Sequence, residues 1–281
     1  MDELEIASLK DLANDGDADA QYELAKYYDY QTKNGDRAEA FRLYWHAAQQ
    51  GHAKAQYELG NCYSGSPLVE MNLNEAFRWF FKAADQGYAL AQFEVGECYA
   101  LGEGVKKDID EAIRWYAKSG DNGCSAGYNM IGNLYYDGED VPQDFSEAVK
   151  WYRLAAEQND KESQFQLGCM YLDGEGVEQD YTQALKLFEL SAEQYYSPAI
   201  TNLGYCYEKG IGTPANMEKA IEYYKLAADC GDGVAAFNIG ECYELGNGVE
   251  RDLTKAIEWY SIAAEYGDED AEKKVRELTR K

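Results

Sequence analysis

The chain contains 281 residues and carries a formal net charge of −26, because 52 Asp and Glu outnumber 26 Lys and Arg. Nucleic acids and anionic membrane surfaces are bound through clustered Lys and Arg, so this balance argues against both kinds of partner. No stretch approaches the ~20 apolar residues that a membrane-spanning helix needs. The opening sequence MDELEIASLK also lacks the basic and then apolar pattern of a secretory signal peptide. We therefore expect a cytoplasmic protein.

A hydrophobic residue followed by glycine recurs every 36 residues and defines a tandem repeat. The six steps are Leu59-Gly60, Val95-Gly96, Ile131-Gly132, Leu167-Gly168, Leu203-Gly204 and Ile239-Gly240. Leu24-Ala25 fits the same register 35 residues before the first of these glycines. Seven repeats therefore fill residues 16–267. We expect residues 1–15 and 268–281 to form one capping helix each.

The repeat at residues 87–122 shows the order of elements within a unit. A first helix has apolar residues at helical spacing, namely Ala91, Val95 and Tyr99. Gly102 and Gly104 can adopt a positive φ, so they predict a tight turn. Asp108 stands three residues before Glu111, a capping-box spacing that predicts the start of a second helix. The same capping position is filled in other repeats by Asn72, Asp144, Asp180, Asn216 and Asp252.

Such a helix hairpin cannot bury its apolar face alone, and stacking on its neighbours creates a continuous core. The sequence therefore predicts an all-α fold, a right-handed α-α superhelix (solenoid) of seven 36-residue hairpins with a terminal helix at each end. We expect residues 1–281 to form a single repeat domain.

The repeated string LGxxYxxGxGVxxDxxxAxxWYxxAAxxG resembles the Sel-one-like repeat (SLR) family, a relative of the tetratricopeptide repeat. Residues 167–195 and 239–267 follow it closely. The chain departs from the pattern in the loop at residues 64–71, which lacks Gly-x-Gly-Val, and at Asn159 and Tyr195, which replace closing glycines. The resemblance implies a non-catalytic scaffold that holds a protein or peptide.

The sequence offers little support for catalysis, a cofactor or a metal site. The only histidines, His46 and His52, lie six residues apart, a spacing that does not place two ligands on one helix face. Gly-x-Ser-x-Gly occurs once, at residues 123–127, and the chain has no Gly-x-x-x-x-Gly-Lys-Ser/Thr and no Ser-x-x-Lys. Its Gly-x-Gly pairs lack the third glycine of a dinucleotide site, and acidic loops such as residues 173–180 lack the alternating ligands of an EF-hand. We expect no enzyme activity, no cofactor and no metal.

The seven cysteines are best interpreted as free thiols rather than disulfides. Four of them share one position, two after the repeat glycine, namely Cys62, Cys98, Cys206 and Cys242. Cys169 lies one position earlier, and Cys124 and Cys230 are isolated. Disulfide-bearing relatives place a cysteine at the end of a second helix, where this chain has Ala84, Gly120, Ala156, Ala192 and Ala228. An odd number of cysteines also favours free thiols.

The resemblance implies that first helices line a concave groove, so positions on them that packing does not require are candidates for partner binding. These positions lie three before, two before and one after the repeat glycine. The candidate residues are Tyr57, Glu58, Asn61, Phe93, Glu94, Glu97, Asn129, Asn133, Phe165, Gln166, Asn202, Tyr205, Phe237, Asn238 and Glu241. Aromatic rings beside acids and amides suit a segment that carries Lys, Arg or aromatic residues. Alternatively, the aromatic rings pack between hairpins and the polar residues form solvated surface.

The leading functional hypothesis is a monomeric scaffold or adaptor that binds a basic or aromatic-containing segment of another protein in this groove. A second hypothesis is an acidic inhibitor or immunity-type protein that neutralises a basic enzyme such as a nuclease. A third is a β-lactam-binding or hydrolysing relative, because some cysteine-rich secreted members of the family have been linked to penicillin binding. The missing Ser-x-x-Lys argues against this third hypothesis.

Overall fold

The computed structural model describes residues 3–31, 37–65 and 69–280, except the side chains of residues 3, 30 and 31. Parts of two sequence features, the loop at residues 64–71 and the shortened first repeat, lie outside these residues. The described residues form sixteen α-helices and no strand. The helices are α1 (Glu3–Asn14), α2 (Ala18–Gln31), α3 (Arg37–Gln49), α4 (Ala53–Gly65), α5 (Leu73–Asp85), α6 (Ala89–Leu101), α7 (Ile109–Asp121), α8 (Ser125–Asp137), α9 (Phe145–Glu157), α10 (Lys161–Asp173), α11 (Tyr181–Ala192), α12 (Ser197–Lys209), α13 (Met217–Asp229), α14 (Gly233–Leu245), α15 (Leu253–Glu265) and α16 (Glu269–Thr279).

The order of helices confirms the predicted all-α solenoid class. Helices α2 to α15 alternate in chain order between the first and the second helix of each repeat, and α1 and α16 lie at the two ends. None of the described helices is long and apolar enough to cross a membrane. The chain forms two compact units, which we call unit 1 (Met1–Leu134 with Glu139–Val141) and unit 2 (Tyr135–Gly138 with Pro142–Lys281).

The predicted capping residues begin the second helices. Asp108 Oδ1 accepts a hydrogen bond of 3.1 Å from the backbone N–H of Glu111, which satisfies one of the free donors at the start of α7. Equivalent caps begin α5, α9, α11, α13 and α15 at Asn72, Asp144, Asp180, Asn216 and Asp252. The sequence prediction of these helix starts is therefore confirmed.

The Gly-x-Gly turn ends the first helix and also meets the preceding hairpin. Gly102 caps α6 with a φ of 78° and Gly104 has a φ of 71°, so both adopt the left-handed conformation expected from the sequence. A Cβ at Gly104 would lie 2.1 Å from the carbonyl oxygen of Leu73, the first residue of α5. The second glycine is thus needed both for its backbone conformation and for the close contact between hairpins.

The glycine of the hydrophobic-Gly step makes room for an aromatic ring of the second helix. A Cβ at this glycine would overlap the ring in each of five pairs, namely Gly60 with Phe80, Gly96 with Tyr116, Gly168 with Phe188, Gly204 with Tyr224, and Gly240 with Tyr260. The ring atoms are almost wholly buried. The feature that revealed the repeat in the sequence is therefore the contact that holds the two helices of a hairpin together.

Buried glutamines join neighbouring hairpins in unit 1. Gln92 Nε2 donates to the carbonyl oxygen of Ala84 at 3.1 Å, and Gln92 Oε1 accepts from Asn122 Nδ2 at 2.9 Å. Gln56 makes the equivalent bonds with Ala48 O at 3.1 Å and Gln86 Nε2 at 2.7 Å. A buried amide is costly unless both its ends are hydrogen-bonded, and here both ends are.

The two residues that replace closing glycines keep the glycine conformation. Asn159 has a φ of 65° and Tyr195 a φ of 57°. Asparagine tolerates this conformation, whereas a bulky tyrosine is strained in it. The Tyr195 side chain is 71% exposed, so packing does not compensate for this strain.

Candidate protein-binding face

All fifteen candidate residues lie on the first helices α4, α6, α8, α10, α12 and α14, and we call this set the first-helix face. Most of its side chains are half-buried. Tyr205 is the most open, at 43% exposure, whereas Asn129 is only 6% exposed and offers little surface to a partner. Asn129 Oδ1 instead accepts a hydrogen bond of 3.2 Å from Asn133 Nδ2.

Glu58 is a half-buried carboxylate in unit 1. Burial raises its pKa, and the negative charge of Asp29 raises it further. Asn61 Nδ2, which donates to Glu58 Oε2 at 3.3 Å, and the cation of Lys26 act in the opposite direction. Burial therefore removes more hydration from the carboxylate than Asn61 and Lys26 replace. A cation from another molecule would compensate for this loss.

Glu94 and Glu97 form a second acidic pair one hairpin further along unit 1. Burial raises the pKa of Glu94, and the nearby charge of Glu97 adds to the effect. The hydroxyl of Tyr116 donates a hydrogen bond to Glu97 Oε1, so this carboxylate is held in place from the second helix. The two carboxylates therefore lie close together on the half-buried surface of α6.

The aromatic members of the first-helix face pack against other rings, as the alternative interpretation proposed. In unit 1, the Tyr57 ring centroid lies 5.8 Å from Phe80 and 5.4 Å from Tyr88, and Phe93 lies 5.6 Å from Tyr116. These rings remain half-buried rather than enclosed. They therefore support the hairpin core on one side and leave part of the ring available to a partner on the other.

Unit 2 presents amides and aromatic rings in the same three positions. Phe165 lies 5.6 Å from Tyr196 and Phe237 lies 5.1 Å from Tyr260. Asn202 Nδ2 contacts Cys169 Sγ at 3.7 Å. The other members in this unit are Gln166, Tyr205, Asn238 and Glu241, which are half-buried except for the exposed Tyr205. Unit 2 therefore has fewer carboxylates at these positions than unit 1.

Two acidic residues next to this face were not among the candidates chosen from the sequence. Glu208 Oε2 accepts from the Tyr224 hydroxyl at 2.8 Å, and Glu244 Oε2 accepts from the Tyr260 hydroxyl at 2.7 Å. Each lies four residues after the repeat glycine, one helical turn beyond the positions considered. Their position four residues after the repeat glycine places them on the same helix face as that glycine. This spacing is the sequence feature that identifies them.

Charge is divided unequally between the two kinds of helix. The seven first helices contain 12 acidic residues and 4 Lys, whereas the seven second helices contain 14 acidic residues and 12 Lys and Arg. Of the two kinds of helix, the one that carries the candidate site therefore has the larger excess of negative charge. A surface of one sign attracts partners of the opposite sign and raises their rate of encounter.

Several cysteine thiols are buried in the helix packing, and one histidine caps a helix. All seven cysteines are free, and burial raises the pKa of Cys62, Cys98 and Cys169 to about 12. His52 Nδ1 accepts from the backbone N–H of Ala55 at 3.1 Å and so caps α4. Within residues 3–31, 37–65 and 69–280, no group of three or more His, Cys, Asp or Glu side chains could hold a metal ion.

Comparison with known proteins matches the family described as Sel1 repeat seven times along the chain. The matched residues are 18–52, 53–88, 89–124, 125–160, 161–196, 197–232 and 233–268. The search of curated proteins gave no match.

Several solved structures are similar to this chain. A protective antigen of uropathogenic Escherichia coli that displays an SLR fold is 31% identical, with a TM-score of 0.78, over 96% of this chain and 66% of that one. A Sel1 repeat protein from Oxalobacter formigenes is also 31% identical, with a TM-score of 0.73, over 96% of this chain and 78% of that one. An immunity protein from Pseudomonas aeruginosa is 22% identical with a TM-score of 0.48, over 77% of this chain and 82% of that one, a likeness too distant to carry a functional argument.

Proposed function

Because the chain belongs to the Sel1 repeat family, whose members generally mediate protein–protein interactions, we propose that it is a non-catalytic adaptor. It binds a segment of another protein on the part of the first-helix face that unit 1 carries. The segment carries Lys or Arg together with aromatic residues. Its cations meet the carboxylates of unit 1, and its aromatic residues meet the half-buried rings beside them.

The observation that carries this proposal is the half-burial of Glu58 and Glu94. Both carboxylates have a raised pKa because burial removes part of their hydration. A protein gains nothing in stability from such a group unless a cation compensates for the lost hydration. The charge of Lys26 lowers the pKa of Glu58, but burial outweighs it. A Lys or Arg of the partner would supply the missing compensation.

The acids and the rings are expected to contribute to different steps of binding. Carboxylates on an exposed or half-exposed surface steer a basic segment over about a Debye length, ~8 Å at physiological salt. Aromatic anchors that become buried in an interface act mainly on dissociation. Binding should therefore weaken with added salt through the association rate, while the aromatic anchors set the residence time.

A tight inhibitor of one basic enzyme is the alternative, and the net charge of −26 is the observation that favours it. An inhibitor recognises a folded surface, whereas an adaptor of this kind recognises a short segment. An unstructured peptide and a folded cationic protein therefore distinguish the two functions.

The test uses a labelled unstructured peptide in which Arg and Trp are spaced by Gly and Ser, with stopped-flow and equilibrium fluorescence as readouts. Glu58→Gln, Glu94→Gln and Glu97→Gln together should lower the association rate. Tyr57→Ala with Phe93→Ala should raise the dissociation rate and cost on the order of 2 kcal/mol of binding free energy.

The matched control changes three acids on second helices, Glu147→Gln, Glu222→Gln and Glu258→Gln, and so removes the same charge. If this control weakens peptide binding as much as the first-helix set does, the first-helix face is not the site. If the peptide does not bind at all while a folded cationic nuclease binds and is inhibited, the inhibitor function replaces the adaptor.

A further inference from the structure

Three leucines form an exposed column on the second helices of unit 2. Leu154, Leu190 and Leu226 lie 36 residues apart on α9, α11 and α13, and their exposed fractions are 40%, 36% and 38%. We call these three residues the outer ridge. A single exposed leucine is common on a protein surface, whereas the same exposed leucine in three successive repeats makes an apolar surface that water does not favour. The next position in the column, Ile262, packs into a core cluster, so the ridge ends there.

Unit 1 fills the same column with different residues. His46, Lys82 and Lys118 stand at the equivalent positions of α3, α5 and α7. Lys82 Nζ lies 3.8 Å from the ring centroid of Trp79, and Lys118 Nζ lies 3.9 Å from that of Trp115. The repeat therefore accepts a lysine at this position, where its ammonium group packs over the ring of the tryptophan three residues earlier. Leucine in unit 2 is therefore not required by the hairpin fold.

A row of acids runs beside the outer ridge. Glu157, Glu193 and Asp229 each lie three residues after a ridge leucine, which places them next to it on the helix surface, and all three are exposed. Among the described residues, these three carboxylates form no ion pair or hydrogen bond, and the last turns of α9, α11 and α13 contain no basic residue. Negative charge at the C-terminal end of a helix is opposed by the helix dipole. A cation brought by a partner would relieve this repulsion.

The three helices are close enough for one partner to reach all three leucines. Leu187 of α11 packs against a cluster that α9 and α10 form together, and Tyr223 of α13 packs against a cluster that α11 and α12 form together. Packed helices lie roughly 8–10 Å apart, so the ridge extends for roughly 20 Å. That is the length of an α-helix of about four turns.

We propose that the outer ridge docks an amphipathic α-helix of another protein. The helix presents apolar residues at i, i+3, i+4, i+7, i+11 and i+14 to the leucines, and it presents Lys or Arg to the acidic row. A second copy of this chain is a poor occupant, because its own acidic row and its net charge of −26 would be repelled. The outer ridge shares no residue with the first-helix face, because the two sets lie on different helices.

The probe for this proposal is a synthetic amphipathic helix of Leu and Lys, long enough to cross the ridge. Two matched peptides accompany it, one with every Leu replaced by Gln and one with every Lys replaced by Glu. The Gln peptide has the same charge as the probe, so the difference in affinity between the two measures the apolar contact alone. We expect the probe to bind at least about tenfold more tightly than either matched peptide, a difference of about 1.4 kcal/mol in binding free energy.

The central variant combines Leu154→Lys, Leu190→Lys and Leu226→Lys, which copies the residue of unit 1 at Lys82 and Lys118. It should weaken binding of the probe at least about tenfold, because a buried anchor is replaced by a like charge. A second variant, Glu157→Gln with Glu193→Gln and Asp229→Asn, should reduce both the affinity and its dependence on salt. Hydrogen exchange should show that the probe protects α9, α11 and α13. Asp85→Asn with Asp110→Asn, two exposed acids on second helices of unit 1, should leave probe binding unchanged.

Three results would overturn the proposal. The first is that the Leu and Lys probe binds no better than the Gln peptide. The second is that exchange protection lies on the first helices. The third is that the free protein forms a dimer that the lysine variant dissociates, since a second copy would then be the occupant. If the lysine variant does not fold by circular dichroism, the acid variant decides, and unchanged affinity in it excludes the docking site.

Discussion

The ring of Tyr116 lies against the backbone of Gly96 so closely that a Cβ at residue 96 would fall 2.5 Å from Tyr116 Cδ1. Tyr116 is fully buried and cannot move away without opening the hairpin. We therefore expect Gly96→Ala to lower the free energy of unfolding by about 1–3 kcal/mol, the usual cost of overpacking a core. Urea denaturation followed by circular dichroism measures this change.

Gly65→Ala is the matched control for that substitution. Gly65 also lies in a first helix, but among the residues that the structure describes no atom would come within 4 Å of a new Cβ there, and its φ is not positive. Alanine is the better helix former, so this variant should be as stable as the wild type or slightly more stable. Equal destabilisation by both substitutions would mean that the ring contact is not the reason for the repeat glycine.

Tyr195 offers a substitution that should stabilise the fold. Its φ of 57° costs a bulky residue about 1–2 kcal/mol, and glycine adopts the same conformation without that cost. After allowance for the greater freedom of glycine in the unfolded chain, Tyr195→Gly should gain about 0.5–1 kcal/mol. A higher midpoint of thermal unfolding is the expected observation.

Asn159→Gly should behave in the opposite way. Asn159 Oδ1 accepts hydrogen bonds from Gln164 Nε2 at 3.1 Å and from Gln194 Nε2 at 3.3 Å, and glycine would remove both. We expect a loss of about 1 kcal/mol, the typical net contribution of such bonds. If Tyr195→Gly and Asn159→Gly both raised the stability, the backbone conformation alone would determine how much this turn contributes to the free energy of unfolding.

The raised pKa of Glu94 predicts how the stability depends on pH. A carboxyl whose pKa is higher in the folded state holds its proton more tightly there, so ionising it costs stability. Its contribution falls as the pH rises from the ordinary Glu value, about 4.3, through the raised value. Glu94→Gln should therefore be more stable than the wild type at neutral pH, and the difference should disappear at acidic pH.

Urea denaturation at neutral and acidic pH measures this difference. Glu258 is exposed on α15. Glu258→Gln therefore removes the same charge without replacing a half-buried carboxylate. A pH-dependent difference of similar size in Glu258→Gln would show that the overall net charge, and not the burial of Glu94, causes the effect.

The cysteines should react in an order set by burial. Cys230 is exposed, whereas Cys98, Cys206 and Cys242 are buried, and burial raises the pKa of Cys206 and Cys242 to about 11. Because the thiolate is the reactive form, iodoacetamide at mildly alkaline pH should label Cys230 first in the folded protein. Mass spectrometry of digested samples measures the order. In denaturant without reductant all seven should react, and a lower number would indicate a disulfide.

The sequence predicts the hairpins because each boundary depends on neighbouring residues in the chain. Asp108 and Gly102 act through their own backbone or through a residue three positions away, so their roles can be identified from spacing alone. The candidate site is harder to predict, since exposure depends on side chains from other helices. Phe93 and Asn129 occupy the same repeat position, yet Phe93 is half-buried and Asn129 is buried. The Tyr116 bond to Glu97 was also beyond prediction, because it joins two helices at a geometry that only packing defines.

The glutamine bonds of unit 1 have a consequence for how the number of repeats can change. Gln56 donates to Ala48 O and Gln92 donates to Ala84 O, so successive junctions use the same chemical pair. Deletion of the repeat at residues 53–88 would bring Gln92 to the carbonyl of Ala48, and no buried amide would lose its acceptor. Gene duplication or unequal recombination could therefore lengthen or shorten this part of the chain by whole repeats without creating an unsatisfied polar group. Selection can then act on the number of hairpins separately from the residues that each one displays.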